Sequence, residues 1–498
     1  MANESTIPAS GDSPAGASGE QETPVYQNPV ERNVLMGVLL AGAFVMILNQ
    51  TLLNTALPAF MADFGITASD AQWVTTLFML VNGIMIPVTA FLIQKFSTRA
   101  MFLTAMGLFI TGTIVAAVAP VYLVLLLGRV LQAAAGGMIM PLLQTILFAI
   151  FPRDRRGSAM GMFGLIIGFA PAIGPSLSGW IVDHFPWQTL FLMMLPIAVI
   201  AMVIAFFLLK NVTENTDPKL DILSIILSSL GFGGLLFGFS SAGTAGWSSA
   251  EVVISLVVGV IALVLFVWRQ LKLDQPMLEL RVLRIPMFTL NTVLGMVMFI
   301  AMVGGMLILP LYMQNMADFT AMESGLALLP GAIIMGLMSP VTGRLFDRFG
   351  GKWLAAVGFI LLTATSLLFA RLSADTSFVY IAAVNAVRMV GAAMVMMPVT
   401  TAALNQLPQT LVPHGTAVNN TLRQVAGSVG TAVLVTVMTV TTRDPAEYGV
   451  EGMVHGANVA FLVSAFISAA GLIGAFFITN SHGEETGENR LEQIHPKN

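Results

Sequence analysis

Cysteine is absent from the 498 residues, and histidine is scarce. Without thiols the chain offers no disulfide framework, no thiolate metal site and no haem attachment. None of the five histidines is separated from another by the spacing that zinc ligands have in motifs such as HExxH. The GxxxxGK[ST] phosphate loop is also missing, which argues against ATP hydrolysis by a P-loop. We therefore expect no metal, no cofactor and no enzymatic activity.

Charge is scarce as well. Charged side chains make up 10% of the chain, where a soluble domain has roughly 25%. The basic residues are spread thinly, so nucleic-acid binding is not expected, and no long polar segment could form a sensor domain. Hydrophobic residues account for 56%, and the mean hydropathy is +0.85. This composition predicts a polytopic protein of the lipid bilayer.

Apolar runs long enough to cross a bilayer, about 20 residues each, recur along the chain. Charges or Gly/Pro clusters separate them. The runs cover residues 33–57, 71–94, 100–119, 122–150, 158–182, 189–210, 221–242, 250–270, 286–313, 323–346, 352–371, 377–404, 415–440 and 456–479. The sequence therefore predicts an all-α protein with fourteen transmembrane helices.

The distribution of Lys and Arg orients these helices. Of the 22 basic residues, 17 fall in loops and tails on one side, while only Arg371 and Arg443 fall on the other. Because cytoplasmic loops carry the excess of Lys and Arg, we expect both termini in the cytoplasm and the protein in the plasma membrane. The polar residues 1–32 are predicted to form a disordered tail, and residues 480–498 a second cytoplasmic tail.

The first six and the last six predicted spans repeat each other in sequence. "LLLGRVLQAAAGGMIMP" from Leu125 is similar to "AAVNAVRMVGAAMVMMP" from Ala382, and "GSA" at Gly157 returns as "GTA" at Gly415. Such repeats are how many secondary transporters are built. The predicted division is a six-helix bundle over 33–210, a linker with two additional helices over 211–285, and a second six-helix bundle over 286–479.

Four motifs carry a family resemblance. They are "LNQTLLNTALP" from Leu48, "GRVLQ" from Gly128, "GFAPAIGPSLSG" from Gly168 and "GRLFDRFGGK" from Gly343. Because all four motifs are present in this order, the chain resembles the fourteen-span drug:proton antiporters of the major facilitator superfamily. The resemblance implies the major facilitator fold, alternating access, and export of amphipathic compounds in exchange for protons. We expect a monomer whose partners are small substrates, protons and lipid.

The motif from Gly343 contains charges at the inner surface. Asp347 is predicted to form a breakable latch with Arg348 and Lys352, since a carboxylate near a helix N-terminus is favoured by the macrodipole. The alternative is a solvated loop that only follows the positive-inside rule. The copy in the first half carries Ala90, Gln94 and Ser97 instead of the family's Gly, Asp and Gly, so a latch there is not expected.

The fifth span is rich in glycine and proline. Small residues let helix backbones approach closely, and proline removes a backbone hydrogen bond. We interpret Gly174, Pro175 and Gly179, together with Gly168, as part of a seam where the two halves touch and rock. Tight packing without a role in movement is the alternative.

Two arginines fall deep inside spans, in the repeated segments. Arg129 and Arg388 each cost roughly 2.5 to 3.5 kcal/mol at bilayer depth unless they are paired or hydrated. We expect them to face a water-filled cavity, with Gln132 one turn from Arg129. The resemblance implies a part in proton coupling for Arg129, and the alternative is a purely structural arginine. Arg423 is interpreted as structural.

Polar residues also interrupt the first span. Asn49, Gln50 and Asn54 are predicted to project toward a central cavity, since amides in a membrane must face protein or water. The family usually has an Asp at the position of Asn49, and this carboxylate cannot titrate here.

No acidic residue falls in the middle of a predicted span. Glu323 and Asp183 therefore remain as candidates for proton coupling, although each is also interpreted as an interfacial helix cap.

The substrate class is inferred from what would line the cavity. The chain has 32 Met and 32 Phe and no cluster of cations in a span, which suits hydrophobic or amphipathic compounds better than anionic metabolites. The leading hypothesis is proton-coupled multidrug efflux. The alternative is export of an endogenous lipid or metabolite with weak or no proton coupling, which the missing carboxylate at Asn49 motivates.

Overall fold

The computed structural model describes residues 28–53, 56–212, 218 and 220–479. Within these ranges the chain is helical and contains no strand. Fourteen of its helices are long and apolar enough to cross a membrane. The predicted all-α membrane fold with fourteen spans is thereby confirmed. Asn54 and most of both predicted tails, residues 1–27 and 480–498, lie outside the described residues.

The spanning helices are labelled in chain order. They are α1 (Pro29–Leu52), α2 (Ala68–Lys95), α3 (Thr98–Ala117), α4 (Tyr122–Ile150), α5 (Arg156–His184), α6 (Thr189–Leu208), α7 (Ile222–Ala245), α8 (Ala250–Lys272), α9 (Pro286–Asn315), α10 (Ala321–Phe349), α11 (Gly351–Phe369), α12 (Phe378–Leu404), α13 (Val412–Thr441) and α14 (Pro445–Ala475). Helix α6 is interrupted at Met193, and α14 has a kink at Gly449.

Local sequence explains where several helices begin. The side chain of Asn28 accepts a hydrogen bond from the Val30 backbone N–H at 2.9 Å, and Pro29 occupies the first helical turn. Helix α1 therefore starts four residues earlier than residue 33, and residues 29–32, predicted as tail, are helical. A capping box formed by Thr67 and Asp70 starts α2 in the same way.

The same helix pairs pack together in both halves of the chain. Helix α1 packs against α4, α5 and α6, as α9 packs against α12, α13 and α14. Helix α4 packs against α2 and α3, as α12 packs against α10 and α11. Helix α3 contacts α6, as α11 contacts α14. The molecule therefore consists of two pseudo-symmetric six-helix bundles, α1–α6 and α9–α14.

The two halves meet at two pseudo-equivalent places, and these places differ. Helix α5 packs along α10 in the most extensive helix contact of the described chain, and the corresponding pair is α2 with α13. The additional helix α7 contacts both α2 and α13. The inserted helices therefore lie on the α2–α13 side, and the α5–α10 side stays free of them.

The inserted helices are held to each other by a charged pair. Arg269 of α8 donates to Asp221, which precedes α7, with distances of 2.7 and 3.0 Å. These hydrogen bonds lower the pKa of Asp221 to about 2, so the carboxylate is ionised throughout the physiological range. Gln270 also donates to Ser224 at 2.6 Å. Helices α7 and α8 thus form one hairpin.

The contact between α5 and α10 is made by backbone. A Cβ added to Gly157 would lie 2.6 Å from the carbonyl oxygen of Gly343, and one added to Gly168 would lie 2.6 Å from the nitrogen of Gly336. Gly161 comes equally close to the Ser339 carbonyl. We call this contact the glycine seam, defined by Gly157, Gly161, Gly164 and Gly168 of α5 and by Gly336, Ser339, Pro340 and Gly343 of α10.

The predicted seam residues Gly174, Pro175 and Gly179 are not part of the glycine seam. Gly174 packs against Thr51 of α1 within its own half, Pro175 is exposed, and Gly179 has nothing within 4 Å of its added Cβ. The residues that do meet α10 recur at intervals of four, three and four, which is one face of a helix. That spacing was visible in the sequence and is the signal that was missed.

Burial shows which end of the molecule is closed. We call the end that carries the loops 95–98, 151–156 and 349–351 the basic end. On α13, residues 412–421 nearest to it are all buried, whereas residues 422–425 are only half-buried. On α10, the residues farthest from it, such as Met322 and Glu323, are exposed. The two halves are therefore in close contact at the basic end, and the helix ends on the opposite side, such as that of α10, are more exposed.

Gly168→Ala tests the glycine seam. The added methyl group would lie 2.6 Å from backbone that cannot rotate away, so we expect α5 and α10 to separate. Because the chain has no native cysteine, Ser339→Cys, at a residue only 1% exposed, can report this separation by maleimide labelling. We expect labelling at least tenfold faster than in the same chain with Gly168.

Gly107→Ala is the matched control, because an added Cβ there meets nothing within 4 Å, and its labelling rate should not change. Equal rates in all three chains would show that the seam does not hold the basic end closed.

Candidate functional site

Arg129 of α4 is enclosed by protein. Its side chain is 0% exposed and donates through Nη1 to Asn49 Oδ1 at 2.6 Å and to Gln132 Oε1 at 2.8 Å, both on side chains. Its Nε donates to the Val74 carbonyl at 3.3 Å. The guanidinium also lies 4.3 Å from the centroid of the Phe78 ring. This cation is therefore neutralised by amide dipoles and an aromatic face.

The partners of Arg129 are themselves held in place. Gln132 uses its amide nitrogen to donate to Thr113 Oγ1 at 2.8 Å, and Thr113 donates to the Phe109 carbonyl. Helices α1, α2, α3 and α4 are thus joined through one arginine.

This placement differs from the expectation of a wet cavity. Arg129 and Gln132 are 0% exposed and Asn49 is 1% exposed, so none of them lines an opening in this conformation. The physical reason is that three oxygen acceptors and the Phe78 ring enclose the guanidinium, although its Nη2 has no partner among the described residues. Gln50 is half-buried, and Asn54 lies outside the described residues.

Arg388 occupies the equivalent place in the second bundle. It is 0% exposed, donates to Ser366 Oγ at 2.8 Å, and also donates to the Ala301 carbonyl and to Ser464 Oγ. These groups belong to α11, α9 and α14. Like Arg129, it forms no ion pair with the described residues and does not face a water-filled cavity.

The two acidic candidates for proton coupling lie at the end opposite the basic end. Glu323 closes a capping box, with its carboxylate accepting from the Thr320 backbone N–H at 2.8 Å and from the Thr320 hydroxyl at 2.9 Å. It is exposed, and so is Asp183 near the end of α5. The structure does not bring the predicted proton-coupling residues together.

Asp347 makes a latch, although not with the predicted partners. Its carboxylate accepts from the backbone N–H groups of Gly157 at 2.7 Å and Ser158 at 2.8 Å, and from the Ser158 hydroxyl. These donors belong to the first turn of α5, where the helix dipole favours a negative charge. Arg348 is exposed and stacks over Phe349, and Lys352 is half-buried. The latch therefore joins the two halves, and the expected pairing with Arg348 and Lys352 is not formed.

Arg156 adds a second connection beside Asp347. It donates to the carbonyl of Phe148 at 2.9 Å within its own half, and to the side chains of Asn405 and Gln409 at 3.2 Å in the other half. Both acceptors follow α12. The basic end is thus closed by one carboxylate and one guanidinium that each reach across the glycine seam.

The pseudo-equivalent place between α2 and α13 is closed by neutral groups. Gln94, at the position that corresponds to Asp347, contacts the ring of His414, which precedes Gly415. Nδ1 of His414 accepts from the Glu279 backbone N–H at 3.2 Å, so the ring is neutral with its proton on Nε2, the ring atom that contacts the Gln94 side-chain amide. The sequence did not predict this contact between α2 and α13. The only indication of it was that Gln94 aligns with Asp347 in the repeat.

The described residues contain no group of three or more His, Cys, Asp or Glu side chains that could hold a metal ion. The buried polar groups are instead amides, hydroxyls and arginines on the helices that surround the interface between the halves. Two pseudo-symmetric six-helix bundles, joined at one end by polar contacts that cross between them, are the architecture of a secondary membrane transporter.

The family model described as Major Facilitator Superfamily matches residues 39–431, and the chain belongs to that superfamily. It is 55% identical over 455 residues to the uncharacterised MFS-type transporter YcnB of Bacillus subtilis (strain 168), a match that covers 91% of this chain and 96% of YcnB. It is 44% identical over 456 residues to the lincomycin resistance protein LmrB of the same organism, covering 89% and 95%. The similarity to these relatives agrees with the resemblance to the fourteen-span drug:proton antiporter group that the four motifs indicate.

A solved structure shares the fold. The human organic anion transporter MFSD10 superposes with a TM-score of 0.64 over 89% of this chain and 100% of that chain, at 15% sequence identity. At this identity the likeness concerns the fold alone.

Substitutions of Asn49 test how Arg129 is held. Asn49→Leu removes the 2.6 Å acceptor from a buried guanidinium, so we expect a loss of about 2 kcal/mol in the free energy of unfolding. Asn49→Asp keeps an acceptor and should retain the stability of the unaltered chain. The measurement is equilibrium unfolding in lipid nanodiscs followed by tryptophan fluorescence.

Asn315→Leu, at an exposed amide at the end of α9, is the control and should have no effect. If Asn49→Leu were as stable as this control, Arg129 would not depend on Asn49.

Asp347→Asn tests the latch. The amide keeps the size of the side chain but loses the charge that strengthens hydrogen bonds from the α5 N-terminus, so the closed basic end should become less populated. We expect transport to fall at least tenfold and labelling of Ser339→Cys at the seam to accelerate. Asp154→Asn serves as the control, because that side chain is 74% exposed and lies 3.9 Å from its partner Arg155. Equal transport by both variants would contradict a role for the latch.

Proposed function

We propose that this transporter is a secondary active exporter that works by alternating access. The observation that carries the proposal is the difference between its two ends. The glycine seam and the bonds of Asp347 hold the halves together toward the basic end, while residues at the opposite end, such as Met322 and Glu323, are exposed. Because α5–α10 and α2–α13 are pseudo-equivalent, rocking of one bundle against the other can exchange which end is closed.

We propose that the basic end faces the cytoplasm and that the protein lies in the plasma membrane as a monomer, with both termini cytoplasmic. The support is the excess of Lys and Arg in the loops at that end. In this orientation the structure is outward-open, the conformation in which an exporter releases its substrate and takes up the driving ion.

The proposed substrates are small hydrophobic or amphipathic compounds, including antimicrobial drugs. The relative LmrB is named for lincomycin resistance, and it matches over nearly the whole length of both chains. The 32 methionines and 32 phenylalanines supply adaptable apolar surface of the kind found in promiscuous binding sites.

Proton antiport is the proposed driving force, as the family resemblance implies. In the outward-open state the exposed carboxylates of Glu323 and Asp183 are accessible from the outside, so both remain the proposed proton-coupling acids, acting with Arg129.

A second candidate is export of an endogenous lipid or metabolite with weak or no proton coupling. Asn49 favours it, because the side chain that holds Arg129 cannot bind a proton at physiological pH.

Transport into everted membrane vesicles separates the two candidates. Vesicles that contain the chain should accumulate lincomycin, or the cationic amphiphile rhodamine 6G, when their lumen is acidified. Antiport predicts that dissipation of the pH gradient by nigericin slows accumulation at least tenfold, and that Glu323→Gln or Asp183→Asn reduces proton release. Accumulation that survives nigericin would refute antiport and support the second candidate.

Vesicles with Asp347→Asn supply the control for transport by the protein itself. If neither compound accumulates above the level of vesicles without the chain, the proposed drug export is wrong.

A further inference from the structure

Arg423 is a third arginine inside a span, and its setting differs from that of Arg129 and Arg388. It lies on α13, eleven residues from the basic end of that helix. Arg129 and Arg388 are 0% exposed and make three hydrogen bonds each, although each keeps one guanidinium nitrogen without a partner. Arg423 is half-buried and makes one hydrogen bond, to Asn420 Oδ1 at 2.9 Å. Arg423 also forms no ion pair with the described residues.

The face of α13 that carries Arg423 points between the two halves. Asn420, one turn closer to the basic end, donates through Nδ2 to Gln144 Oε1 of α4 at 2.9 Å, which links the second bundle to the first. Residues three apart share a helix face, so Arg423 lies above this link. Residues 422–425 are half-buried and lie between the buried stretches 412–421 and 426–427. Arg423 therefore lies on the face of α13 that borders the contact between the two halves.

Arg423 determines which atoms of the Asn420 and Gln144 side chains donate hydrogen bonds and which accept them. A guanidinium can only donate, so the Asn420 oxygen must face Arg423 and the Asn420 nitrogen must face Gln144. The Gln144 oxygen then accepts, which leaves the Gln144 Nε2 group directed elsewhere. This chain of hydrogen bonds cannot be reversed by turning the amides over.

Donor groups are left without acceptors at this place. Arg423 Nη1 and Gln144 Nε2 are buried atoms that have no hydrogen-bond partner, and so is Nδ2 of Asn419, one turn from Arg423. The guanidinium carbon of Arg423 lies 5.6 Å from the centroid of the Phe299 ring of α9. Unpartnered donors around a cation, beside an aromatic ring, favour an amphipathic ligand with negatively charged oxygens.

We propose that Arg423, together with Gln144 and Asn419, forms a subsite that binds the oxyanion of an amphipathic substrate, such as a carboxylate, sulfonate or phosphate. The inference rests on the proposed function, because it names a substrate class for the same central opening. It departs from the expectation that the cavity suits hydrophobic or amphipathic compounds better than anionic ones. Binding of the oxyanion neutralises Arg423 in place of a protein carboxylate, and Phe299 packs against the apolar part of the ligand.

A matched pair of probes tests the subsite in the full chain in lipid nanodiscs. The probes are 11-(dansylamino)undecanoic acid and its methyl ester, which differ by one negative charge, and dansyl fluorescence reports their binding. We expect the unaltered chain to bind the acid at least tenfold more tightly than the ester. Arg423→Gln should remove this preference without weakening the ester, and Arg423→Lys should retain part of it.

Arg371→Gln is the control, since this exposed arginine lies after α11 and away from the opening, and it should keep the full preference. Gln144→Leu leaves Arg423 in place and should reduce the preference several-fold, so the test does not depend on the folding of one variant. Full retention of the preference in Arg423→Gln and Gln144→Leu would overturn the subsite, as would equal binding of acid and ester by the unaltered chain.

The binding measurement needs no gradient, so it is independent of the vesicle experiment. Loss of the acid preference in Arg423→Gln supports the subsite even when lincomycin export fails. Lincomycin export together with an unchanged preference in Arg423→Gln leaves the exporter intact and rejects the subsite.

Discussion

Close backbone contact between α5 and α10 is the constraint on which this conformation depends. Within lipid there is no hydrophobic driving force between apolar helices, so association depends on packing, hydrogen bonds and small residues. Gly157 to Gly168 on one helix and Gly336 to Gly343 on the other provide the packing, and Asp347 provides the hydrogen bonds. The seam runs along the half of each helix nearer the basic end and Asp347 lies at that end, so the two halves are held together there.

The two halves share a scaffold but not a latch. Gln94 and His414 stand at the positions that correspond to Asp347 and the start of α5, and there a neutral amide and imidazole replace a charged hydrogen bond. Helix α7 contacts both sides of this weaker connection, and Asp221 with Arg269 ties α7 to α8. The inserted hairpin therefore supports the side where the charged latch is missing.

Buried cations without carboxylates are the second theme of the molecule. Arg129 and Arg388 are held by amides, hydroxyls and carbonyls, which keeps each bundle together at a cost that dipoles and an aromatic ring offset. Arg423 makes only one such hydrogen bond, and it is the one of the three that is half-buried rather than buried. The same residue type thus joins the helices of a bundle in two places and forms a proposed ligand site in a third.

The sequence by itself determined the class of the protein. Long apolar runs, the bias of Lys and Arg, and the repeated segments around Arg129 and Arg388 predicted fourteen helices in two related bundles, because these patterns follow from lipid solvation and helix geometry alone. Four motifs in order also indicated the superfamily. The presence of Asn49 where a carboxylate is usual was likewise evident without coordinates.

Only the tertiary structure decided which side chains meet. Asp347 was expected to pair with Arg348 and Lys352 nearby in sequence, but it pairs with Gly157 and Ser158 in the other half. Arg129 was expected to face a water-filled cavity but is fully buried, because groups from other helices enclose it. Contacts between distant helices depend on their rotation and depth in the bundle, and neither quantity is encoded in the composition or period of a single span.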